Sequence, residues 1–341
     1  MRKIRLAFIG CGAMSSGLQQ CIPMIPEFEF VATCDLIEEK AKTNARKYGA
    51  LRWYTDYDQM LKTEELDAVA VVGRPEDKMH RDIGIECLER GYHIYTEKPP
   101  ATTVEGAKML LDASVRSGKT GMVGTMWRHA PAHRLAKRLL EQEEFGSVCQ
   151  YETRYLAPTP RIHEPESPYA WRFMLDQVIH PTDCMRFFMG PVGQLYALAA
   201  NDAESGTVSI SVNLQYENGG VGAMTLGIGA VLEAMVFIKS TNNHAIEVLE
   251  TRKLRRYRVP TWTGEGGGYA NTPTEEWDVN TAVDGVGRPG YYEEMSHWVQ
   301  SLLGARQPEP SLEDAYQNMR VLRGISESIE SGQVVHLSDT L

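Results

Sequence analysis

The sequence predicts an α/β protein in two domains: a first built on a parallel, doubly wound sheet, and a C-terminal α+β domain with a large, mostly antiparallel open sheet. Two patterns carry this prediction. In the first part, short β-branched apolar runs alternate with longer amphipathic ones, as βαβ units with right-handed crossovers require. From about residue 148 onward, long runs of alternating character follow one another, the pattern of strands with one buried face. The boundary is drawn between residues 1–126 and 127–341, with the final helices able to pack back on the first domain. A chain of 341 residues suits two cores, and its composition, 43% hydrophobic and 23% charged, is that of a globular protein.

In the first domain the strands are "IRLAFIG", "FEFVATCD", "DAVAVVG", "HIYTEK" and "GMVGTMW". Between them "IEEKAKTNARKYG" and "HRDIGIECLERG" read as helices closed by Gly49 and Gly91. In the second, "VCQYETRYLA", "QLYALAAND", "TVSISVNLQYENGGVGAMTLGIG", "EAMVFIKS" and "NHAIEVLETRKLRRYRV" read as strands, with "YENGG" a hairpin whose Asn-Gly supplies positive φ. Two helices end the chain, the last opened by Ser311 and Asp314 as a capping box with Asp in place of Glu.

The formal net charge of −10 excludes nonspecific nucleic-acid binding, which needs a basic surface. The basic run "RKLRRYR", Arg252 to Arg258, reads as one exposed strand face rather than an anion-binding patch. Six cysteines without a C-x-x-C pair fit reduced thiols in the cytoplasm, with no metal site. No segment approaches the ~20 apolar residues of a membrane span, and the N-terminal apolar run is too short for a signal peptide.

The first strand runs into "GCGAMS", a G-x-G-x-x-S form of the dinucleotide fingerprint. Gly10 permits the tight turn, Gly12 lets the backbone approach a pyrophosphate, and the small Ser15, helped by Gly17, allows close helix–strand packing. The N-terminus of the following helix offers unpaired N–H groups to phosphate. Asp35 ends the second strand about 20 residues later, where an acid accepts hydrogen bonds from ribose hydroxyls. It repels a 2′-phosphate and no arginine stands beside it, so NAD is expected over NADP.

Two further stretches carry chemistry. "HIYTEKPPATT" ends a strand in Glu97 and Lys98 and follows with Pro99 and Pro100. In "WRFMLDQVIHPTD", Asp176 and His180 stand four apart, the spacing of one helix face. Pro181 is tolerated in a first helical turn, so the helix is expected to begin near Gln177.

Together these pieces resemble the Gfo/Idh/MocA family of oxidoreductases. The likeness rests on "GCGAMS", "CDL" at 34–36, "EKP" at 97–99, "WR" at 171–172 and D-x-x-x-H from Asp176 to His180. The closing "GYYEEMSHWVQSL" and "PSLEDAYQNMRVLRGISES" share it, so the likeness covers nearly the whole chain. The sequence departs from the family where "WRFMLD" runs directly to Asp176 without the frequent Gly-Gly pair, and where a proline follows the histidine.

The resemblance implies a Rossmann domain, NAD as cofactor and hydride transfer between the nicotinamide and a secondary alcohol or ketone carbon of a sugar, polyol or sugar derivative. It implies Lys98, Asp176 and His180 as catalytic residues. Cofactor contacts are expected from Gly10, Gly12, Ala13, Met14, Asp35, Pro75, His80, Glu97, Lys98 and Arg172. Substrate contacts are expected from Lys98, Arg128, Trp171, Arg172, Asp176 and His180, with Arg128 alternatively half of a surface ion pair. His180 is assigned as general base and Asp176 as the group orienting it or a neighbouring hydroxyl; a Lys98 base competes. His129 and His133 form H-x-x-x-H without an evident third metal ligand. The loop from Pro260 to Trp277, with Trp262 and Tyr269, is read either as a lid with aromatic faces or as a β-edge loop used in oligomer packing. A homodimer or homotetramer through the second sheet is expected. Two other functions stay open: redox-neutral, NAD-dependent cleavage of a glycoside through a transient keto-sugar, and NAD sensing without catalysis.

Overall fold

A computed structural model describes residues 2–157, 169–202, 207–228, 232–258, 273–279 and 290–337. The chain forms two compact units, one from Met1–Met126 with Val283–Arg320 and one from Trp127–Ala282 with Val321–Leu341.

In the first unit, strands β1 (Ile4–Ile9), β2 (Phe28–Cys34), β3 (Arg52–Tyr54), β4 (Ala68–Val71), β5 (His93–Glu97) and β6 (Gly121–Gly124) form one parallel sheet. Their order is β3-β2-β1-β4-β5-β6, so the topology reverses between β1 and β4. Helices α1 (Ala13–Gln19), α2 (Glu38–Tyr48), α3 (Tyr57–Thr63), α4 (Gly84–Glu89) and α5 (Val104–Ser117) supply the crossovers. A sheet covered on both faces needs unbroken apolar strands, and Val69, Ala70 and Val71 are wholly buried. Gly49 closes α2 with φ +82°. The three-residue β3 had no apolar run to announce it; it pairs with β2 through Ala32–Arg52 to Cys34–Tyr54.

Two later helices begin in this unit: α6 (Pro131–Leu140), α7 (Tyr169–Phe173) and α8 (Ile179–Met189) belong to the second unit, whereas α9 (Tyr291–Leu302) and residues 312–320 of α10 (Leu312–Ser331) fold with the first. Ser311 and Asp314 cap α10 reciprocally: Asp314 N–H donates to Ser311 Oγ at 3.1 Å, and Ser311 N–H to Asp314 Oδ2 at 3.0 Å. Leu312 packs over Gly121, where an added Cβ would stand 2.5 Å from its Cδ1. On α9, Trp298 is buried against Phe28 and Tyr95, with ring centroids 5.7 and 5.5 Å apart.

The second unit holds a nine-stranded sheet of order β14-β13-β12-β11-β7-β10-β9-β8-β15. Its strands are β7 (Val148–Ala157), β8 (Val192–Asp202), β9 (Thr207–Tyr216), β10 (Val221–Ile228), β11 (Glu233–Ser240), β12 (Ala245–Leu249), β13 (Lys253–Tyr257), β14 (Glu275–Asp278) and β15 (Val335–His336). All its neighbours pair antiparallel except β7 with β10. The hairpin between β9 and β10 turns at Gly219, φ +84°; of the Asn-Gly pair only the glycine takes positive φ, while Asn218 Oδ1 accepts Gly220 N–H at 2.8 Å.

The basic run departs from a single exposed face. On β13, Leu254 and Arg256 both turn inward and are buried, as the two-residue period requires. Arg256 pairs there with Glu144 at 2.5 Å and donates to Gln142 Oε1 at 3.2 Å. Outward, Arg255 meets Glu276 at 2.6 Å and Glu247 at 3.1 Å, and Lys253 meets Glu276 at 3.0 Å. These cross-strand pairs engage the cations with acids of the same sheet.

Removing the indole of Trp298 leaves a cavity beneath the parallel sheet. Trp298→Ala should destabilise the first unit by about 3–5 kcal/mol, read as a shift of the guanidinium unfolding midpoint; an unchanged midpoint would contradict this packing.

Candidate active site

The first part of the site is the turn after β1. Gly10 has φ +99°, and an added Cβ would lie 1.9 Å from the Val72 carbonyl oxygen, so no other residue fits. A Cβ on Gly12 meets nothing within 4 Å, which leaves the backbone open to a close ligand. Gly12 is the N-cap of α1 and no side chain caps it, so Ala13 and Met14 begin the helix with N–H groups available to phosphate. Ser15 is buried and donates its hydroxyl to the Gly10 carbonyl at 2.5 Å, which accounts for serine at the third glycine position.

Asp35 follows β2. Its Oδ2 accepts Cys11 N–H at 2.8 Å and its Oδ1 accepts Ile37 N–H at 2.9 Å. A carboxylate has about four lone-pair sites, so the two bonds leave capacity for ribose hydroxyls. The open Gly12, the uncapped helix start and this acid fit a dinucleotide: Gly12, Ala13 and Met14 would face its phosphates, and Asp35 its ribose.

Lys98 follows directly on β5, half-buried, with Glu97 buried beside it. Glu97 Oε2 accepts Lys98 N–H at 3.2 Å, and Gly124 gives the carboxylate room, since a Cβ there would stand 3.0 Å from Glu97 Oε1. The Arg74–Pro75 and Lys98–Pro99 peptides are both cis. His80 lies within a wide, π-helical stretch, Asp77–Ile83, that leads into α4. Its Nδ1 bonds the Pro99 carbonyl at 2.7 Å and its Nε2 accepts Gly73 N–H at 3.4 Å, so Nδ1 carries the proton. Asp77, on the same stretch, accepts Thr102 N–H at 2.9 Å and the Thr102 hydroxyl at 2.7 Å. The wide stretch thus holds the segment after Lys98 at two points, and both ring nitrogens of His80, a residue expected near the cofactor, bond the backbone.

In the second unit, Asp176 and His180 are both buried. Their helix does not begin near Gln177. It runs from Tyr169 through α7, a π-helical turn at Met174–Val178, and α8. Ile179 N–H donates to Met174 O, five residues back, and this wide turn precedes Pro181. Proline, which cannot join the usual i→i−4 ladder, is therefore accommodated well inside a helical run. Trp171 and Arg172 lie on α7, both half-buried.

His180 stacks on Trp127, centroids 5.9 Å apart at 20°, and the indole also stacks on His133, 5.9 Å and 23°. His133 Nδ1 bonds the Trp127 carbonyl at 2.9 Å, while Arg134 approaches His129 Nδ1 at 3.2 Å. Arg128 is half of an ion pair, but a buried one: its Nε donates to Asp183 Oδ2 at 2.6 Å. Sequence reasoning missed Asp183, although its place three residues after His180 puts it near the same helix face. It also missed Gln177, which bonds Asp176, and Tyr155, which bonds Gln177. Trp262 and Tyr269 lie outside the described residues; Trp277 stands on the edge strand β14, opposite Leu254.

Breaking the buried Arg128–Asp183 pair leaves one charge uncompensated. Arg128→Met should cost about 3–5 kcal/mol, and adding Asp183→Leu should recover most of it; denaturant unfolding of the two variants checks the contrast. A second expectation concerns acid. Burial pulls His80 and His133 down from 6.5 to about 4. Between those values the unfolded chain binds more protons than the folded one, so stability falls as pH drops through this window and is flat above it. Unfolding free energies measured across the window should show that slope, and His80→Gln and His133→Gln should each flatten it.

Comparison with known proteins places the whole arrangement. Levoglucosan dehydrogenase of Pseudarthrobacter phenanthrenivorans is 26% identical over 215 residues, 58% of this chain and 54% of that protein. The scyllo-inositol 2-dehydrogenase (NAD(+)) of Bacillus subtilis is 27% identical over 191 residues, 55% of this chain and 54% of that protein. These matches thus span about half the length of each relative. A dehydrogenase structure from Chromobacterium violaceum shares the fold, with TM-score 0.87 at 21% identity over 98% of this chain and 97% of that one. Residues 4–125 match the oxidoreductase family with an NAD-binding Rossmann fold, and residues 133–248 match the GFO/IDH/MocA C-terminal domain. The chain belongs to the GFO/IDH/MocA family of oxidoreductases.

Proposed function

We propose that this protein is an NAD-dependent oxidoreductase that moves a hydride between the nicotinamide and a secondary alcohol or ketone carbon of a sugar or polyol. The observation that carries the reading is the sheet of the first unit. Gly10, Asp35 and Lys98 stand just past the carboxyl ends of β1, β2 and β5, around the β1–β4 reversal where such sheets take their ligands. The names of the two relatives, one acting on levoglucosan and one on scyllo-inositol, support a carbohydrate or polyol substrate.

Bound NAD would supply the hydride acceptor; the residues of the chain manage position and protons. The alcohol proton must leave as the hydride does, and the imidazole of His180 takes it as general base. Asp176 orients that ring or a neighbouring hydroxyl. Lys98 donates a hydrogen bond to the alkoxide oxygen as charge develops there, where a dry site makes the bond strong. Arg172 and Trp171 contribute a donor and an aromatic face toward substrate hydroxyls, and Pro75 and Glu97 adjoin the nicotinamide end. The open face of the second sheet is proposed as the surface of a homodimer or homotetramer. A cytoplasmic setting accords with six free cysteines.

Purified protein is mixed with NAD and a panel of inositols, aldoses, sugar acids and glycosides, and NADH is followed. One class should give a strong signal. Lys98→Ala and His180→Ala should each lose about 100-fold or more in turnover while retaining NADH binding. Full activity of both variants would remove the assignment of the catalytic residues. Silence across the panel with NAD bound would remove the dehydrogenase reading.

A further inference from the structure

Asp176 does not stand alone beside His180. Gln177 Nε2 donates to Asp176 Oδ2 at 3.0 Å, and Gln177 Oε1 accepts the hydroxyl of Tyr155 at 2.8 Å. Tyr155 is buried near the end of β7. Its ring meets Trp127 edge-on, centroids 5.1 Å apart at 85°, and Trp127 is the ring on which His180 stacks. One indole therefore touches both the tyrosine that starts this chain and the imidazole of His180.

The direction of this chain follows from donor chemistry. An ionised carboxylate only accepts, so the amide must present its NH2 end to Asp176. Its oxygen then faces Tyr155, which must donate. The reversed amide would set its oxygen against the carboxylate, two acceptors facing each other without a proton between them. The π-helical turn Met174–Val178 contains both Asp176 and Gln177, so the amide and the carboxylate it holds share one local backbone irregularity.

We propose that Gln177, oriented by Tyr155, is the positioning residue for Asp176: it fixes the plane of the carboxylate through Oδ2, so that the group is aimed before substrate arrives. A carboxylate that orients an imidazole or a substrate hydroxyl must be held within a narrow angle to be useful, and an amide with both ends engaged does this without adding charge. The inference rests on the role given to Asp176 above. It extends that role to two residues, Tyr155 and Gln177, that act through Asp176.

The test uses the full chain with NAD and the panel compound giving the strongest NADH signal. Asp176→Asn serves as reference, and NADH binding by fluorescence confirms that each variant is folded. Gln177→Met keeps the volume and removes both hydrogen bonds; it should lower kcat by about 10-fold with the KM for NAD unchanged. Tyr155→Phe keeps the ring against Trp127 and should lower kcat by about 3-fold. Because Tyr155 acts through Gln177, the double variant should be no slower than Gln177→Met alone, whereas two independent packing defects would multiply. Gln177→Glu sets a second carboxylate beside Asp176. Like charges oppose ionisation, so the acidic limb of the kcat/KM profile should move to higher pH, by about one unit.

If Asp176→Asn loses turnover while Gln177→Met and Gln177→Glu keep the kcat and pH profile of the unaltered protein, the positioning role of Gln177 is wrong and that of Asp176 stands. Multiplying effects of Tyr155→Phe and Gln177→Met would likewise overturn the relay. If Asp176→Asn is fully active, or the unaltered protein is silent across the panel, the reading of the site is wrong and this inference falls with it.

Discussion

Three strands of the first unit are drawn together at Gly10, and the nucleotide cradle follows from that contact. Gly10 N–H donates to Cys34 O at the end of β2 at 2.7 Å, while Val72 N–H donates to Ile9 O at 2.9 Å. The Val72 carbonyl then lies where any Cβ on Gly10 would be. The chain must leave β1 in a conformation that L side chains avoid, and it turns at once into α1. That turn brings Cys11 N–H onto Asp35 and leaves Gly12 uncovered. The open backbone expected to face phosphate, the acid expected to face the ribose, and their spacing thus descend from one contact that admits no side chain. Ser15 occupies the position usually left to a third glycine because its hydroxyl returns to the carbonyl of the same Gly10.

A second constraint recurs in both units. His80 lies inside one π-helical stretch, and His180 follows another by two residues. A wide turn changes where the next side chains point without ending the helix, which is how such turns serve functional sites. At 77–83 the result is a clamp: His80 and Asp77 hold the backbone at Pro99 and Thr102, so the loop beyond Lys98 is tied to a neighbouring helical segment rather than to solvent. At 174–178 the wide turn contains Asp176 and Gln177, with Pro181 tolerated three residues beyond its end.

Much of this could be read from residue order, and the exceptions have physical reasons. The parallel strands were legible because burial on both faces demands unbroken apolar runs; β3 was not, since two exposed residues and one half-buried one carry no such run. Gly10 and Asp35 stand at the spacing of a dinucleotide fingerprint, and Lys98, Asp176 and His180 were singled out as expectations through the family resemblance. Their partners were not. Asp183 and Arg128 are 55 residues apart, and Tyr155 and Gln177 are 22 apart, so only the fold pairs them. The start of the His180 helix was misjudged because Pro181 is read as a first-turn residue under α-helical rules, and a π-helical turn leaves no compositional mark. On β13 the two-residue period was present in the sequence, but a buried arginine contradicts the prior that charge faces water. Arg256 stays inside because Gln142 and Glu144 bond its two terminal nitrogens there.

The buried Arg128–Asp183 pair raises the question of what such a pair contributes. Removing two charges from water costs about as much as their attraction returns, so hydrophobic residues of like volume would hold the unit as firmly. What they would not supply is direction. Trp127 and Arg128 are neighbours in the chain, and they reach His180 and Asp183, three residues apart on α8. Stacking restrains the tilt of the imidazole but lets two rings slide over one another. A charge-assisted hydrogen bond to Asp183 is directional and opposes that sliding. The two contacts together register α8 against the segment after β6 at successive points of one face, and neither would do so alone. An aliphatic pair at 128 and 183 would keep the helix in place and leave the plane of His180 less determined, and a defined plane is what the proposed base needs when the proton it takes lies in a fixed direction.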